Sequence, residues 1–564
     1  MTGQTTPSES LAALADRYWN YQLDTSPTIA LLFGDYRNVA LWEDVSAAGE
    51  AAKAAVLHAV AAEAEAIEAD SLNRSQRITR AMLMEEARQT AVSLDHSMTD
   101  FEVDPSGGIH VALPQMAAQI PIPNAEVANS LVVKWAGFGD YFDAMIERLR
   151  SGLAARRVAS ATAITKTLAQ LDAYLGSDIK NDPYTQLPAP EDMSAEEVTE
   201  WRGRLEDQTQ FSIRPGYTRY RDVLRDELLP NARSDERAGV MWVTGGEETY
   251  RAAVRRHTTL DLNPEEIHSI GLEGIEHLED EYRSLGLGVL DTSDLTEIYE
   301  RLRNDSALRF ETGAEVREAA QTSMDRARAA MGDWFGRLPV ADCVMHEIPG
   351  PGAEEAPLGY YLQPAMDGSR PGTYFINTTE PTTRTRYESE ALAFHESIPG
   401  HHLQLAIAQE LEGVPDFQKH AIVSAYVEGW GLYTERLSDE MGLYTSDLAR
   451  LGILSFDSWR CGRLVVDTGM HAMGWSRQQA IDYLLANSPQ ALNNIENEVD
   501  RYIAWPGQAL AYKIGQIEIL RLRRQAERIR GDRFDIREFH DTVLDSGPVT
   551  LTLLGDLVGE WAES

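Results

Sequence analysis

Residues 391–408, ALAFHESIPGHHLQLAIA, form an apolar segment with ionisable side chains at its centre. Those side chains are His395, Glu396, His401 and His402. Burying four such groups in an apolar helix is costly unless they pair with one another or bind a metal ion. A hydrogen-bonded network without metal is the simpler possibility, but the density of these residues favours a metal site.

The histidine spacing differs from that of a standard zinc-binding helix. In the motif H-E-x-x-H two histidines one turn apart bind the ion, whereas the position four residues after His395 is Pro399. In a straight helix His401 would point away from His395, and His402 would lie roughly 10 Å further along the axis. Proline cannot donate to the preceding turn and Gly400 permits unusual backbone angles, so we predict a bulge here. The bulge should return His401 to the face of His395, with His402 as the alternative ligand.

Glu428 is the expected third ligand. It is the one charged residue between Ala421 and Tyr433 in the apolar segment AIVSAYVEGWGLYTERL. A buried carboxylate needs a strong partner, and zinc is such a partner; a buried ion pair is the alternative. Glu435 lies beside Arg436, and a solvated helix face is the simpler interpretation of that residue.

A zinc ion held by His395, His401 and Glu428 would give Glu396 a definite role. We expect Glu396 to take a proton from the attacking water and to pass it to the leaving group. The expected reaction is therefore a hydrolysis, and its expected substrate is an amide bond.

A hydrogen-bond donor for the tetrahedral intermediate is expected in RYIAWPGQALAYKIGQIE, residues 501–518. Tyr512 and Tyr502 are the candidate catalytic donors, and packing in the core is the alternative for each ring. Arg501 and Gln508 of the same segment are candidate substrate contacts.

Other candidate substrate contacts are scattered along the chain. His471 lies in the apolar run VVDTGMHAMGW, where a core histidine and a site histidine are equally compatible with the pattern. Four cationic side chains could anchor a substrate carboxylate, although structural ion pairs are the commoner use of such residues. They are Arg384, Arg386, Arg501 and Lys513.

Most of the remaining chain has the pattern of amphipathic helices. Apolar residues recur three and four positions apart in the segments 46–70, 75–100, 136–176, 194–207 and 264–285. SAEE and NPEE, which begin the last two, are typical of capped helix starts. Residues 358–378 break the pattern with two short aromatic and β-branched runs around DGSRPG, which predicts a β-hairpin or a small sheet.

The expected fold class is mainly α: a large multi-helix body with one small β-sheet beside the active-site cleft. A chain of 564 residues is long for one compact core, so we expect a helical N-terminal lobe over 1–345 and a catalytic lobe over 346–564. The two lobes are expected to pack as one continuous body.

Charge and cysteine content restrict the partners and the cellular location. The formal charge of −38 disfavours nucleic acid and anionic membranes as partners because both would be repelled. The two cysteines, Cys343 and Cys461, allow neither a disulfide framework nor a C-x-x-C motif. Because the N-terminus lacks a signal-peptide pattern and no long apolar run occurs, the expected location is the cytoplasm.

Four ordered segments resemble one bacterial family, the domain of unknown function 885 (DUF885). They are HESIPGHHLQ, AYVEGWGLYTE, VDTGMHAMGW and DRYIAWPGQALAYKIGQIEI. The resemblance covers nearly the whole chain and is strongest from about residue 358 to 545. It implies a zincin-like fold related to the gluzincin metallopeptidases. The implied helical architecture is that of the neurolysin, thimet-oligopeptidase, angiotensin-converting and Taq-type carboxypeptidase groups.

By this resemblance the Gly-His at the start of GHHLQ corresponds to the Gly-His that carries the second ligand of the gluzincin helix. This correspondence supports His401 as a ligand. PGTYFINT, residues 371–378, would be a strand at the edge of the cleft that pairs with a peptide substrate. Tyr374 and Asn377 would then be substrate contacts. WPGQALAY is similar to a cleft-lining segment of the carboxypeptidase group. This chain departs from the gluzincin pattern in one respect, because it lacks the H-E-x-x-H spacing.

The expected function is zinc-dependent hydrolysis of short peptides in a deep cleft, with one Zn²⁺ ion as cofactor. A metal-dependent amidase or deacylase on small non-peptide substrates is the second possibility. A non-enzymatic helical binding protein with a degenerate site is the third. The sequence leaves the oligomeric state and the choice between endopeptidase and exopeptidase open.

Overall fold

The structure, a computed structural model, describes residues 6–348, 357–365, 368 and 370–564. The described residues are mainly helical and contain one small β-sheet, as the sequence predicted. The turn expected at DGSRPG lies partly outside the described residues, at Asp367 and Ser369.

Helices form the chain up to the sheet. They are α1 (Pro7–Thr25), α2 (Pro27–Leu32), α3 (Ala47–Ala66), α4 (Arg74–Asp95), α5 (Ile109–Ala117), α6 (Ala125–Ala136), α7 (Phe138–Ala154), α8 (Ala161–Gly176), α9 (Ala195–Gln208), α10 (Arg214–Val223), α11 (Gly246–Thr258), α12 (Pro264–Leu290), α13 (Leu295–Asn304) and α14 (Gly313–Trp334). The π-helical segment Thr209–Ile213 joins α9 to α10.

Local capping explains where several of these helices begin. Ser194 and Asn263 start α9 and α12 with the capping boxes that SAEE and NPEE predicted. The expected helix over 136–176 is instead two helices, α7 and α8. The side chain of Ser160 accepts a hydrogen bond from the N–H of Ala163, which begins α8 as a new helix.

The sheet contains β1 (Cys343–Glu347), β2 (Gly359–Leu362) and β3 (Gly372–Ile376) in the order β1-β3-β2. The antiparallel pairing of β2 with β3 is the expected hairpin, whereas β1 was not predicted and pairs with β3 in parallel. Because β3 is hydrogen-bonded on both sides, it cannot add a peptide strand. The prediction that the segment 371–378 is an edge strand that pairs with substrate is therefore wrong.

Helices also form the chain after the sheet. They are α15 (Ser389–Glu396), α16 (His401–Gln409), α17 (Asp416–Lys419), α18 (Ser424–Glu440), α19 (Asp447–Ala472), α20 (Arg477–Asn487), α21 (Leu492–Ala504), α22 (Ala511–Arg530), α23 (Ile536–Leu544) and α24 (Leu551–Glu563). Among the described residues, every helix is too short or too polar to cross a membrane.

The backbones of α18 and α22 touch where Gly429 faces Gly515. A Cβ atom on Gly429 would lie 2.5 Å from the Cα of Gly515, and one on Gly515 would lie 1.9 Å from the carbonyl oxygen of Ala425. Larger residues cannot fit at this crossing without moving a helix. The two glycines therefore fix α18 and α22 at a short distance from each other.

Packing crosses the expected lobe boundary at residue 345. One hydrophobic cluster includes Leu57 and Tyr250 from the first part of the chain and Trp430 and Leu554 from the second. The long helices α12 and α19 also pack along each other across this boundary. The division into two lobes stays a prediction, and the helices of both expected lobes share one core.

Candidate metal centre

The histidine-rich segment is interrupted where the sequence predicted a bulge. Helix α15 ends at Glu396 and α16 begins at His401, with a turn between them in which the Ile398–Pro399 peptide bond is cis. A Cβ atom on Gly400 would lie 2.0 Å from the carbonyl oxygen of His395. The glycine thus lets the chain fold back over the end of α15. The expected bulge in one helix is a break between two helices.

His395, His401 and Glu428 converge across this break. Each offers one ligand atom, and these atoms lie within 4.8 Å of one another. The Nε2 atoms of His395 and His401 lie 3.7 and 3.6 Å from Oε2 of Glu428. The break therefore brings together the residues that the sequence proposed as ligands.

The donor set and its spacing fit a zinc ion. Two imidazole nitrogens and one carboxylate oxygen form one of the known ligand sets of catalytic zinc sites. Tetrahedral bonds of about 2.0–2.1 Å place ligand atoms about 3.4 Å apart. The observed separations of 3.6 and 3.7 Å need only small side-chain shifts to reach that value.

The carboxylates around the two histidines stabilise positive charge in the cluster. Burial lowers the pKa of His395, but the neighbouring carboxylates of Glu428 and Glu435 outweigh burial and raise that pKa to about 10. Burial also opposes ionisation of Glu428, yet His395 and His401 hold the pKa of its carboxyl well below the usual range. A metal ion that binds here must therefore displace a proton from His395.

Glu435 holds the ring of His395. Its Oε1 lies 2.8 Å from Nδ1 of His395, which orients the ring so that Nε2 faces the other ligands. The solvated face expected for Glu435 is wrong, since only 1% of the residue is exposed. Glu428 and Glu435 are seven positions apart on α18, about two turns, so both lie on one helix face. That spacing is the sequence signal that could have identified Glu435.

Replacing Glu435 by glutamine should weaken zinc binding about 10–100-fold, because the partner of the ligating imidazole loses its negative charge. Competition with a chromophoric chelator measures the affinity. Glu440→Gln is the matched control on α18, since Glu440 is partly exposed and pairs with Arg523 instead. Equal zinc affinity in Glu435→Gln and wild type would show that Glu435 does not support a metal ligand.

Glu396 follows His395 directly and is partly exposed at the end of α15. Burial raises the pKa of its carboxyl, against the positive charges of His395, His401 and Arg460. A carboxylate next to the ligands with a raised pKa is a better proton acceptor than an ordinary glutamate and can return the proton afterwards. The position of Glu396 is thus compatible with the predicted general-base role.

Tyr512 is the predicted hydrogen-bond donor that lies beside the cluster. It is half-buried on α22, and burial together with the charge of Glu428 raises the pKa of its hydroxyl. The hydroxyl therefore stays protonated and can donate.

Arg501 and Gln508, the candidate substrate contacts of the same segment, bond to each other, with Nη1 of Arg501 donating to Oε1 of Gln508 at 2.7 Å.

Tyr502, the other candidate donor, is part of the core. Its hydroxyl donates to Glu498 and accepts hydrogen bonds from Trp459 and Arg463. The residue is completely buried, so the hydroxyl has no capacity left for a substrate. We therefore correct the expectation that Tyr502 is catalytic.

His471 is a buried structural histidine. Its Nδ1 accepts a hydrogen bond from the N–H of Val240, and its Nε2 lies 3.0 Å from the carbonyl oxygen of Tyr502. Both ring nitrogens are used within the core, which excludes the predicted contact with substrate.

Tyr374 and Asn377 are also buried and do not line a surface. The Tyr374 side chain lies in the core near Glu396, whose charge adds to burial in raising the pKa of the tyrosine. Asn377 donates to the carbonyl oxygen of Pro357 and accepts from Thr379, so it shapes the loop after β3. The predicted substrate contacts at these two residues are corrected for that reason.

His402, the alternative ligand, lies outside the cluster. Its Nδ1 is 2.9 Å from the hydroxyl of Tyr361 and its Nε2 is 3.1 Å from the carbonyl oxygen of Ala341. These bonds connect α16 to the region of the sheet. The geometry therefore favours His401 over His402 as the second histidine.

The expected carboxylate anchors all bond to groups of the protein. Arg384 donates to a backbone carbonyl, and the others pair with carboxylates: Arg386 with Glu315, Arg501 with Glu498 and Lys513 with Asp457.

A fifth cation, Arg460 on α19, was not identified from the sequence. Its helix packs against α15 and α18, its charge acts on Glu396, and it carries no ion pair among the described residues.

Comparisons with known proteins add a family and a fold. The family model described as "Bacterial protein of unknown function (DUF885)" matches residues 27–558. The crystal structure of a candidate lipoprotein from Colwellia psychrerythraea has a TM-score of 0.93 and 25% identity, and the match covers 99% of this chain and 100% of that chain. The structure of a candidate lipoprotein of unknown function from Shewanella oneidensis has a TM-score of 0.75 and 18% identity, and the match covers 97% of this chain and 99% of that chain. No curated protein matches significantly.

Proposed function

The chain belongs to the DUF885 family of bacterial proteins of unknown function, and we propose that it is a zinc-dependent hydrolase that cleaves short peptides. The observation that carries the proposal is the convergence of the ligand atoms of His395, His401 and Glu428 within 4.8 Å, with Glu396 next to His395 in the chain. This is a metal-ligand set with a neighbouring proton acceptor, which metal-assisted hydrolysis requires. The likeness to the gluzincin peptidases, noted from the sequence motifs, adds the amide bond as the target.

Each side chain of the site has a distinct part in this chemistry. The two histidines and Glu428 would hold the zinc ion, which would supply a Lewis acid for the substrate carbonyl and favour the ionisation of water. A carboxylate oxygen of Glu396 takes a proton from the attacking water and delivers it to the nitrogen of the leaving amine. The Tyr512 hydroxyl donates a hydrogen bond to the carbonyl oxygen as that oxygen gains negative charge.

Burial of the site favours small substrates. The side chains of Glu428 and His401 are 21% and 10% exposed, so the cluster is open to solvent on only a small area. A folded protein could not bring a peptide bond to such a site without unfolding, whereas a short flexible peptide could. We therefore assign short peptides as the substrate class.

Metal removal tests the proposed function. Chelation should abolish hydrolysis of a mixed-peptide library followed by mass spectrometry, and one equivalent of zinc should restore it. Elemental analysis of the reloaded protein should find about one zinc ion per chain. Cleavage of acylated small amides without cleavage of any peptide would assign an amidase or deacylase instead. A protein that retains no zinc after dialysis against zinc would contradict the proposal and favour a binding protein.

The location of the protein stays a prediction. The sequence favours the cytoplasm, whereas two similar solved structures are those of candidate lipoproteins. Fractionation of the native cells, with detection of the protein in the soluble and membrane fractions, decides between the two.

A further inference from the structure

Helix α19 carries charged side chains that are at least nine-tenths buried. They are Asp457, Arg460, Arg463 and Asp467. Three of them have strong partners on neighbouring elements: Lys513 for Asp457, Glu498 for Arg463 and Tyr250 for Asp467. Arg460 is the one of these four side chains without such a partner in the described residues.

The guanidinium of Arg460 is buried without a hydrogen-bond acceptor. Only 6% of the residue is exposed, and its Nε and Nη1 atoms have no partner in the part of the chain that the structure describes. Its contacts are with aromatic faces, at 4.4 Å from the ring centre of Phe456 and 4.6 Å from that of Trp459. Arginine keeps its charge in proteins, and a buried charge without acceptors is costly. Such a group is suited to receive an anion.

A second guanidinium with spare donor capacity lies next to it. Arg463 is 4.5 Å from the ring centre of Trp459, and its Nη1 is also buried without a partner in the described residues. Its other nitrogens bond to Glu498 and Tyr502. The charge of Arg463 acts unfavourably on that of Arg460. An anion that accepts from both guanidinium groups would relieve this repulsion.

The two arginines are near the metal cluster. Helix α19 packs against α15 and α18, which carry His395 and Glu428. The charge of Arg460 acts on Glu396 and on Glu435, and the guanidinium of Arg463 lies 4.4 Å from the ring centre of Tyr512. No hydrogen bond joins Arg460 to either glutamate in the described part of the chain, and Glu435 is already bonded to His395. A role as a simple counter-charge would therefore leave the donors of Arg460 unused.

We propose that Arg460 and Arg463 form a carboxylate-binding subsite beside the metal centre, so that the substrate is a short peptide with a free carboxylate close to the bond that is cleaved. The inference rests on the proposed hydrolase function and names its substrate class. The carboxylate is either the terminal carboxylate of the peptide or an acidic side chain. In the first case the protein is an exopeptidase that acts near the carboxyl end.

The test compares matched tripeptides with the zinc-loaded protein. One has a free terminal carboxylate, the second a terminal amide, and the third a terminal amide with glutamate in place of the middle residue. We expect kcat/KM to be about 10²-fold higher for a carboxylate-bearing peptide than for the neutral amide, since charge-assisted hydrogen bonds are lost with the amide. Preference for the first peptide assigns the terminal carboxylate, and preference for the third assigns an acidic side chain. Equal rates on all three would overturn the inference and leave the hydrolase proposal intact.

Arg460→Met should remove this preference, so that the ratio of kcat/KM for the carboxylate peptide to kcat/KM for the neutral amide falls to about one. Arg460→Lys keeps the charge but not the paired donors, so it should restore only part of the preference. Arg450→Met is the matched control on α19, because Arg450 is exposed and pairs with Asp439 and Asp447. Full preference in a folded, zinc-loaded Arg460→Met would contradict the assignment.

A binding measurement separates failure of the subsite from failure of the proposed function. Calorimetry of the zinc-loaded protein with the acid and amide tripeptides does not require turnover. Tighter binding of the acid that is lost in Arg460→Met would support the subsite even if no peptide were cleaved. Equal affinities, or binding of neither peptide, would overturn it.

Discussion

Replacing Glu396 by glutamine should lower peptide hydrolysis by about 10²–10⁴-fold and leave the zinc content unchanged. The amide cannot accept the proton of the attacking water, but its size preserves the packing at the end of α15. Glu396 does not belong to the three residues whose ligand atoms converge, so the metal should remain. Initial rates on the most reactive library peptide and elemental analysis of the same samples measure both quantities.

Glu390→Gln is the matched control for this experiment. Glu390 lies on α15 too, but it bonds to Thr445 and Arg326 away from the cluster. Its replacement should change neither hydrolysis nor zinc content. Undiminished hydrolysis in Glu396→Gln would refute the general-base role, and loss of zinc in that variant would make Glu396 a ligand.

Replacing His401 by alanine should lower the zinc affinity by more than about 100-fold, whereas His402→Ala should leave the zinc affinity unchanged. Loss of a partner behind a ligand already costs about 10–100-fold in affinity, so loss of a ligand itself should cost more. The pair is closely matched, because the two histidines are adjacent, buried and on α16. Zinc affinity measured by chelator competition distinguishes them.

The two histidine variants should also differ in stability. His402→Ala leaves Tyr361 without its buried partner, which costs about 1–3 kcal/mol of folding stability. Thermal unfolding of the zinc-free proteins measures this cost separately from metal binding. Zinc retained in His401→Ala but lost in His402→Ala would reverse the ligand assignment.

Local sequence patterns predicted the elements well where short-range chemistry determines them. The capping boxes at Ser194 and Asn263 require only residues three positions apart, so both helix starts could be identified. The β2–β3 hairpin followed from its aromatic runs. Strand β1 was missed because its parallel partner β3 follows only after β2, so no local hairpin pattern marks it.

The candidate ligands were predictable because unusual residues occur in apolar surroundings. Glu428 was identified as an isolated charge, and the structure places it 3.6–3.7 Å from both histidines. Their role as zinc ligands stays a prediction. The same logic failed for Glu435, since its charged neighbours suggested solvent while α18 is buried on nearly all sides.

Residues whose role depends on partners elsewhere in the chain could not be assigned correctly. The sequence left Tyr502 and His471 open between a site role and a core role, because their polar atoms bond to elements that only the fold brings near. Arg460 was overlooked for the opposite reason. Its distinguishing property is the lack of an acceptor in the described residues, which no sequence pattern records.

The break between α15 and α16 affects how related proteins can be recognised from their sequences. A turn of four residues, 397–400, separates the two imidazoles, so adding or deleting one residue there would change the position of α16 relative to α15 and move His401 away from His395. Pattern searches written for a four-residue interval will overlook chains of this type. A search for H-E, four intervening positions with Pro-Gly at the end, and a second histidine would recover them.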